Sequence, residues 1–262
     1  MSASPITFND GKAYELLMGR WSRLAGDQFL DWIEPPKGLR WIDVGCGNGA
    51  FTEVLIARTS PAAVTGIDPS EGQISYARSR PGTAMAEFQT GSALSLPFPD
   101  NSFDAASMAL VIAFVDDPGK AAAEMARVVR PGGLVATYMW SFPEGFPLRW
   151  LGPAMKSLGL NPVTPPNTAA ANLENLSRYW QQAGLQSIET RVIRIQIAYA
   201  DFDDFWQSAT APVGPSGKAT AELSPEMREQ LKKRLREQLP TDANGRIVYD
   251  AVANAVKGRV PA

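Results

Sequence analysis

Leu39-Arg40-Trp41-Ile42-Asp43-Val44-Gly45-Cys46-Gly47-Asn48-Gly49-Ala50 decides the fold class. Residues 39–44 read as a buried strand, the glycines at 45, 47 and 49 as a tight turn, and residues 50–58 as a helix with Phe51, Val54 and Leu55 on one side. Glycine directly after a strand lets the backbone turn sharply and approach a ligand closely. The helix that follows offers free amide N–H groups to an anion. Asp68 ends the next apolar run, Ala63-Val64-Thr65-Gly66-Ile67, where a carboxylate can accept both hydroxyls of a ribose. The combination points to a nucleotide-like ligand.

The alternation continues on both sides of this stretch. Residues 8–33 read as helical, with Pro35-Pro36-Lys37-Gly38 as their stop. Residues 71–79 read as a helix, 86–90 as a short strand and 103–110 as an apolar run suited to a buried parallel strand. Asp117-Pro118 opens a helix that Arg130-Pro131-Gly132-Gly133 closes, and residues 134–140 form the next strand. Strand and helix in repeated alternation argue for a parallel sheet covered by helices on both faces, with ligands outside the carboxyl ends of the strands.

The second half is less regular. Residues 141–171 carry six prolines without a clear period. Residues 172–182 read as a helix stopped by Gly184, 188–199 as a strand, and Phe202, Phe205 and Trp206 as part of another helix. Residues 210–217 read as a loop, Ser224-Pro225-Glu226 as a helix start, and 247–260 as a last strand.

Composition narrows the chemistry. Of the 262 residues, 25 are basic and 27 acidic, which lacks the basic excess of a nucleic-acid binder. The basic run Lys232, Lys233, Arg234, Arg236 shares its helix with Glu226, Glu229 and Glu237 and reads as a solvated face. The single cysteine, Cys46, allows no internal disulfide and fits a reducing, cytoplasmic setting. No signal peptide is read at the N-terminus, and the longest apolar stretch, 105–115, is too short to span a bilayer, so no membrane role is expected. There is no histidine, which removes the commonest general base and metal ligand, and with one cysteine no metal site is expected. Without histidine, Cys46 reads as a small turn residue rather than a nucleophile.

The motifs together resemble the class I S-adenosylmethionine-dependent methyltransferases, in their bacterial small-molecule, type 11-like form. Residues 41–49 are similar to the family's first motif and Val64-Thr65-Gly66-Ile67-Asp68-Pro69-Ser70 to its second. Gly91-Ser92-Ala93 with Leu96-Pro97-Phe98-Pro99-Asp100-Asn101-Ser102-Phe103-Asp104 resembles the approach to strand four, and residues 124–133 the helix and turn before strand five. Residues 14–22, 201–206 and 255–261 are similar to a bacterial subgroup. The resemblance covers about residues 39–140 and implies a Rossmann-like, seven-stranded, mostly parallel sheet whose last strand is antiparallel, with a helical lid insertion.

It further implies one methyltransferase domain over 1–262: an N-terminal helical segment 1–36, a cofactor-binding core 37–140, and a substrate lid from 141–171 and 200–245. S-adenosyl-L-methionine is the implied cofactor and a small molecule the implied partner. Gly45, Cys46 and Gly47 would face its methionine part, Asp43 would order the loop, Asp68 would hold the ribose and Pro69 would flank the adenine. Ser92, where many relatives carry Asp, and Ala93 would meet the adenine edge; Met108 and Ala109 would lie against the cofactor. Arg20 could pair with the cofactor carboxylate and Tyr14 lie near the methyl group, although both, like Trp21, also read as ordinary helix residues. Tyr14, Tyr138 and Glu144 are the candidate bases by position, and Trp150, Met155, Phe202 and Trp206 suggest the lining of an apolar pocket, although the Phe202, Phe205, Trp206 cluster reads equally as the packed underside of a lid. A nicotinamide-dependent oxidoreductase shares the glycine turn and the ribose acid, and a non-catalytic cofactor-binding module shares all the binding residues; both alternatives stay open on the sequence.

Overall fold

The computed structural model describes residues 11–162 and 164–262. The seven strands are β1 (Arg40–Val44), β2 (Ala63–Asp68), β3 (Ala86–Thr90), β4 (Phe103–Ala109), β5 (Val129–Trp140), β6 (Gln186–Tyr199) and β7 (Ile247–Arg259). They form one sheet in the order β3-β2-β1-β4-β5-β7-β6. Strands β1 to β5 pair in parallel, and β7 runs antiparallel to both its neighbours, β5 and β6. Strand order reverses between β1 and β4, so a crevice opens at their carboxyl ends. Near-continuous burial along β1 and β4 matches strands covered on both faces.

The chain enters through α1 (Gly11–Tyr14), a π-helical turn over Glu15–Gly19, and α2 (Arg20–Ile33). Residues 8–10 of the expected N-terminal helix lie outside the described residues. Between the early strands come α3 (Ala50–Thr59) and α4 (Glu71–Ser79), then α5 (Pro118–Val128). Local chemistry sets the starts. Ser70 caps α4 by accepting the Gln73 N–H, and Asp117 caps α5 by accepting the Lys120 N–H at 2.9 Å ahead of Pro118.

Aromatic side chains fasten α2 and α3 to one sheet face. Phe29 of α2 and Phe51 of α3 contact the Tyr138 ring at 4.7 and 5.8 Å. Trp21 stacks on Tyr249 at 5.7 Å, meets Trp140 edge-on, and donates its indole N–H to Tyr199 Oη at 2.9 Å. Trp21 is fully buried and belongs to the core. On the other face, α7 (Leu173–Gln182) sends Trp180 inward to donate to the Val135 carbonyl at 3.0 Å.

Two readings of the sequence need correction. The strand read over 134–140 begins earlier, at Val129, so that residues 130–133, which follow the end of the helix at Val128, also open β5: Phe103 pairs with Val129, the register slips across Pro-Gly-Gly, and pairing resumes at Ala105 with Leu134. Residues 214–217, read as loop, begin a helix. The segment 141–171 holds α6 (Leu151–Ser157), and 200–245 holds α8 (Phe202–Ala209), α9 (Gly214–Ala221) and α10 (Pro225–Gln238). In α9, a Cβ at position 217 would lie 1.9 Å from the Ala211 carbonyl oxygen, so only glycine allows that approach.

Candidate active site

The turn after β1 is built almost wholly from main-chain groups. Gly45 and Cys46 donate their N–H groups to the Ile67 carbonyl at 2.7 and 3.1 Å, which ties the turn to the end of β2. Gly45 has φ +74°, and a Cβ there would meet Val111 at 2.6 Å. Gly47 has φ +52°, and a Cβ there would meet nothing within 4 Å. The turn is thus closed on the Val111 side and open at Gly47.

Asp68 organises the other side. Its Oδ2 accepts the Gly47 N–H at 3.0 Å and its Oδ1 the Ser70 N–H at 2.9 Å. Burial raises its pKa, and those two N–H groups pull it back toward the charged form. Each oxygen keeps a further lone pair for an incoming donor.

Asp43, fully buried on β1, accepts the Thr52 hydroxyl at 2.7 Å through Oδ2. Its Oδ1 has no hydrogen-bond partner among the described residues. The hydroxyl of Ser107, its register partner on β4, is also unpaired, yet lies near enough to favour the carboxylate. Desolvation by burial dominates and pushes the Asp43 pKa up to about 7, Thr52 working against it and the Asp68 charge with it. Burial, then the charges of Asp43 and Asp68, likewise push the Cys46 thiol well up, so the thiolate is disfavoured.

A network not anticipated from the sequence holds the turn from outside. Arg80, itself buried, donates to the Asn48 carbonyl at 2.7 Å and pairs with Glu53 at 2.7 Å and with Glu15. Asn48 donates its side-chain amide to Glu15 at 3.2 Å. The π-turn of the N-terminal helix is thereby coupled to the glycine turn. Arg80 carries no motif in the sequence; two acids far apart in the chain reveal it only once folded. The Glu124–Arg127 pair has a similar supporting task. Glu124 accepts the Leu96 N–H at 2.8 Å, and Arg127 donates to the carbonyls of Leu96 and Phe98 at 2.9 and 2.8 Å, fixing the approach to β4.

The remaining candidates fall as follows. Pro69 is exposed beside Asp68. Ser92 is exposed and its Oγ accepts the Leu94 N–H at 3.2 Å, with Ala93 half-buried next to it. Met108 is buried within β4, and Ala109, half-buried, ends that strand. Arg20 pairs with Asp204 at 3.3 Å, so its charge already has a partner at the start of α8. Tyr14 closes α1; its side chain lies outside the described residues. Of the candidate bases, Tyr138 is fully buried against Phe29 and Phe51, and Glu144 is exposed.

Beyond the ends of β4 and β5 lies a cavity of about 390 Å³. Leu110, Met139 and Trp140 form its floor at the strand ends, Leu17 and Met18 come from the π-turn, and Phe114 from the loop after β4. The second-half segments supply the rest, including Phe142, Phe146, Leu151, Pro165 and Val213. Its polar lining is Thr164 and two cations, Arg149 and Lys156; no acid or tyrosine lines it among the described residues. Trp150, Met155, Phe202 and Trp206, expected in this lining, are elsewhere. Met155 is buried in the core beside Ala154, while α6 turns Gly152, Pro153 and Lys156 to the cavity. Phe202 and Trp206 stack on each other at 6.3 Å under Arg236 and Lys232 of α10, and Phe205 meets Tyr199 edge-on. That helix uses its aromatic face for packing.

Among the described residues no group of three His, Cys, Asp or Glu is placed to hold a metal, and no helix is long and apolar enough to cross a membrane.

Comparison with known proteins gives the same picture. Residues 42–137 match a family described as a methyltransferase domain. Over 127 residues the chain is 35% identical to a demethylmenaquinone methyltransferase of Bacillus licheniformis, covering 48% of this chain and 55% of that one. Over 185 residues it is 31% identical to a 2-methyl-6-phytyl-1,4-hydroquinone methyltransferase of Synechocystis sp., covering 68% and 57%. The chain thus spans little more than half the length of these relatives. Among solved structures, the YcgJ protein of Bacillus subtilis superposes with a TM-score of 0.61 at 20% identity, over 91% of this chain and 98% of the other. The Haemonchus contortus phosphoethanolamine N-methyltransferase 2 in complex with S-adenosyl-L-methionine superposes with a TM-score of 0.59 at 18% identity, over 96% and 57%. Residues 42–137 are therefore a methyltransferase domain, and the chain around them has the Rossmann-like fold of the solved structures on which it superposes.

Proposed function

We propose that this chain transfers a methyl group from S-adenosyl-L-methionine to a small, largely apolar acceptor. One observation carries the reading: a main-chain turn open at Gly47, flanked by the buried carboxylate of Asp43 and the half-buried one of Asp68, adjoins strand ends that floor an apolar cavity.

The residues fit the cofactor. The space beside Gly47 admits a ligand against the backbone, and Asp68 retains acceptor capacity for two ribose hydroxyls. The partnerless Asp43 Oδ1 supports a donor or positive charge near the turn, directly or through water. Gly45, Cys46 and Gly47 would line the methionine part, Pro69 and the Ser92–Ala93 segment the adenine, and Met108 and Ala109 the floor. Arg20 would have to exchange Asp204 for the cofactor carboxylate, and Tyr14 keeps its proposed place near the methyl group.

When bound, the sulfonium supplies an electrophilic carbon and a neutral leaving group. What the chain then contributes is alignment and exclusion of water. Leu17, Met18, Leu110 and Trp140 enclose the acceptor at the strand ends. The absence of acid and tyrosine from the described lining favours acceptors that reach the site already nucleophilic, such as an ionised hydroxyl or an electron-rich ring carbon. The hydroquinone acceptor named for the Synechocystis relative belongs to that class. The single-domain reading, with a cofactor core over 37–140 and a lid from 141–171 and 200–245, belongs to the same proposal; Phe142, Phe146 and Val213 in the cavity wall support it.

The test is transfer of labelled methyl from the cofactor to a short-chain alkyl hydroquinone. Label should enter the organic phase with the wild type and not with Asp68→Ala. No label with any hydroquinone or phenol, despite cofactor binding, would leave a binding module rather than an enzyme.

A further inference from the structure

Arg149 lies just before α6 and lines the cavity. It makes no ion pair with a carboxylate among the described residues. Its guanidinium instead sits 4.9 Å from the Trp150 ring centroid and 4.9 Å from that of Tyr249, and donates one N–H to the Asp250 carbonyl at 2.8 Å. Tyr249 is itself fixed, donating its hydroxyl to the Pro147 carbonyl at 2.8 Å. A guanidinium has five N–H donors, so most remain for a ligand, and the two rings and the carbonyl hold the fork in one orientation.

An arginine held this way in an otherwise apolar wall stays charged and lacks a counter-charge. The other cation of the lining, Lys156, is exposed and also lacks an acidic partner among the described residues. Both cations therefore face a cavity whose described lining holds no negative charge. Register places the anchor away from the reacting end. Met139 pairs with Asn254, and Asp250 lies four residues farther along β7, beyond the end of β5. At strand rise that is about 13 Å past the level of Leu110.

We propose that Arg149, assisted by Lys156, binds an oxyanion carried by the acceptor at the end remote from the methylated atom. The substrate class is an apolar small molecule with a single carboxylate-like group. The assignment rests on the acceptor-cavity reading above, but its test needs no methyl donor.

The test compares two dyes of nearly the same shape, anionic 8-anilino-1-naphthalenesulfonate and neutral N-phenyl-1-naphthylamine, by fluorescence titration. Arg149→Met should weaken the anionic dye about 10- to 100-fold, the range for lost hydrogen bonds to a charged group, and leave the neutral dye within about threefold. Arg149→Lys should fall between. Gly152→Phe, which fills the cavity from α6, should displace both dyes. Unchanged neutral-dye binding by Arg149→Met shows that this variant is folded. Equal weakening of both dyes, or of neither, would make Arg149 a packing residue and overturn the proposal. Tight anionic-dye binding that survives Gly152→Phe would place the anion elsewhere and overturn it too. A wild type that holds the anionic dye through Arg149 yet moves no methyl label would sink the enzymatic reading alone.

Discussion

At the carboxyl ends of β1 and β2 a ligand would meet main-chain N–H groups, a glycine and two carboxylates, all within one stretch of chain from 43 to 70. At the far side of the same crevice it would meet Leu17, Phe114, Trp140, Arg149, Pro165 and Val213, drawn from segments nearly 200 residues apart. The first region offers backbone geometry, which demands glycine at fixed places. The second offers shape and one oriented cation, which many sequences could supply. On the proposed function the first would hold the methyl donor and the second would select the acceptor.

The two regions should fail separately. Asp68→Ala removes the acceptor of the Gly47 and Ser70 N–H groups and of the proposed ribose hydroxyls. Affinity for S-adenosylhomocysteine should fall by about 100-fold or more, as two hydrogen bonds to a charged group would give, while the neutral dye still binds the cavity. Loss of both would mean that the regions are not independent.

The electrostatic cost of Asp43 is read in stability rather than affinity. With a folded pKa near 7, the native state holds its proton where the unfolded chain, near 3.8, has released it. Stability should therefore fall as pH rises from about 4 to 7 and level off above, by up to about 4 kcal/mol from this group at 1.36 kcal/mol per unit. Asp43→Asn should flatten that part of the pH–stability curve, raise the melting temperature at pH 8, and weaken cofactor binding. Denaturant melts of both proteins at pH 5 and 8 check the sign; a variant less stable at pH 8 would contradict it.

Tyr199→Phe orphans the buried Trp21 indole N–H and should cost about 1–3 kcal/mol. Because Trp21 sits on the cavity half, cofactor affinity should hold. The smallest effect sharpens a boundary. Arg20→Met breaks an exposed pair with Asp204 and should change stability by less than about 0.5 kcal/mol. If Arg20 serves the cofactor carboxylate, affinity for S-adenosylhomocysteine drops about tenfold; if it only tethers α8, affinity stays.

How much of this was legible follows the same division. Residues 71–79 and 86–90 were read to the residue because Ser70 caps one element and a short alternating run marks the other. The shape of the glycine turn was legible because positive φ at Gly45, Gly47 and Gly49 leaves a residue-type signature. The start of β5 was missed because Pro131-Gly132-Gly133 is the grammar of a break, although pairing partners on β4 and β7 override it. The start of α9 was missed for the same reason, its glycine at 217 serving a close approach to Ala211. The sequence left Phe202 and Trp206 open between cavity lining and packing because aromatic character alone does not say which side of a helix meets the core; the fold places them in packing. Arg80 and Arg149 act through partners that only the fold brings near.

The most direct measurement is calorimetric titration of the purified protein with S-adenosylhomocysteine, with NAD in a parallel cell and Asp68→Ala as control. Saturable binding of S-adenosylhomocysteine to the wild type, lost in Asp68→Ala and absent with NAD, is the expected result. Binding of NAD alone, or of S-adenosylhomocysteine equally by both proteins, would contradict the assignment of the glycine turn and Asp68 as a methyl-donor site.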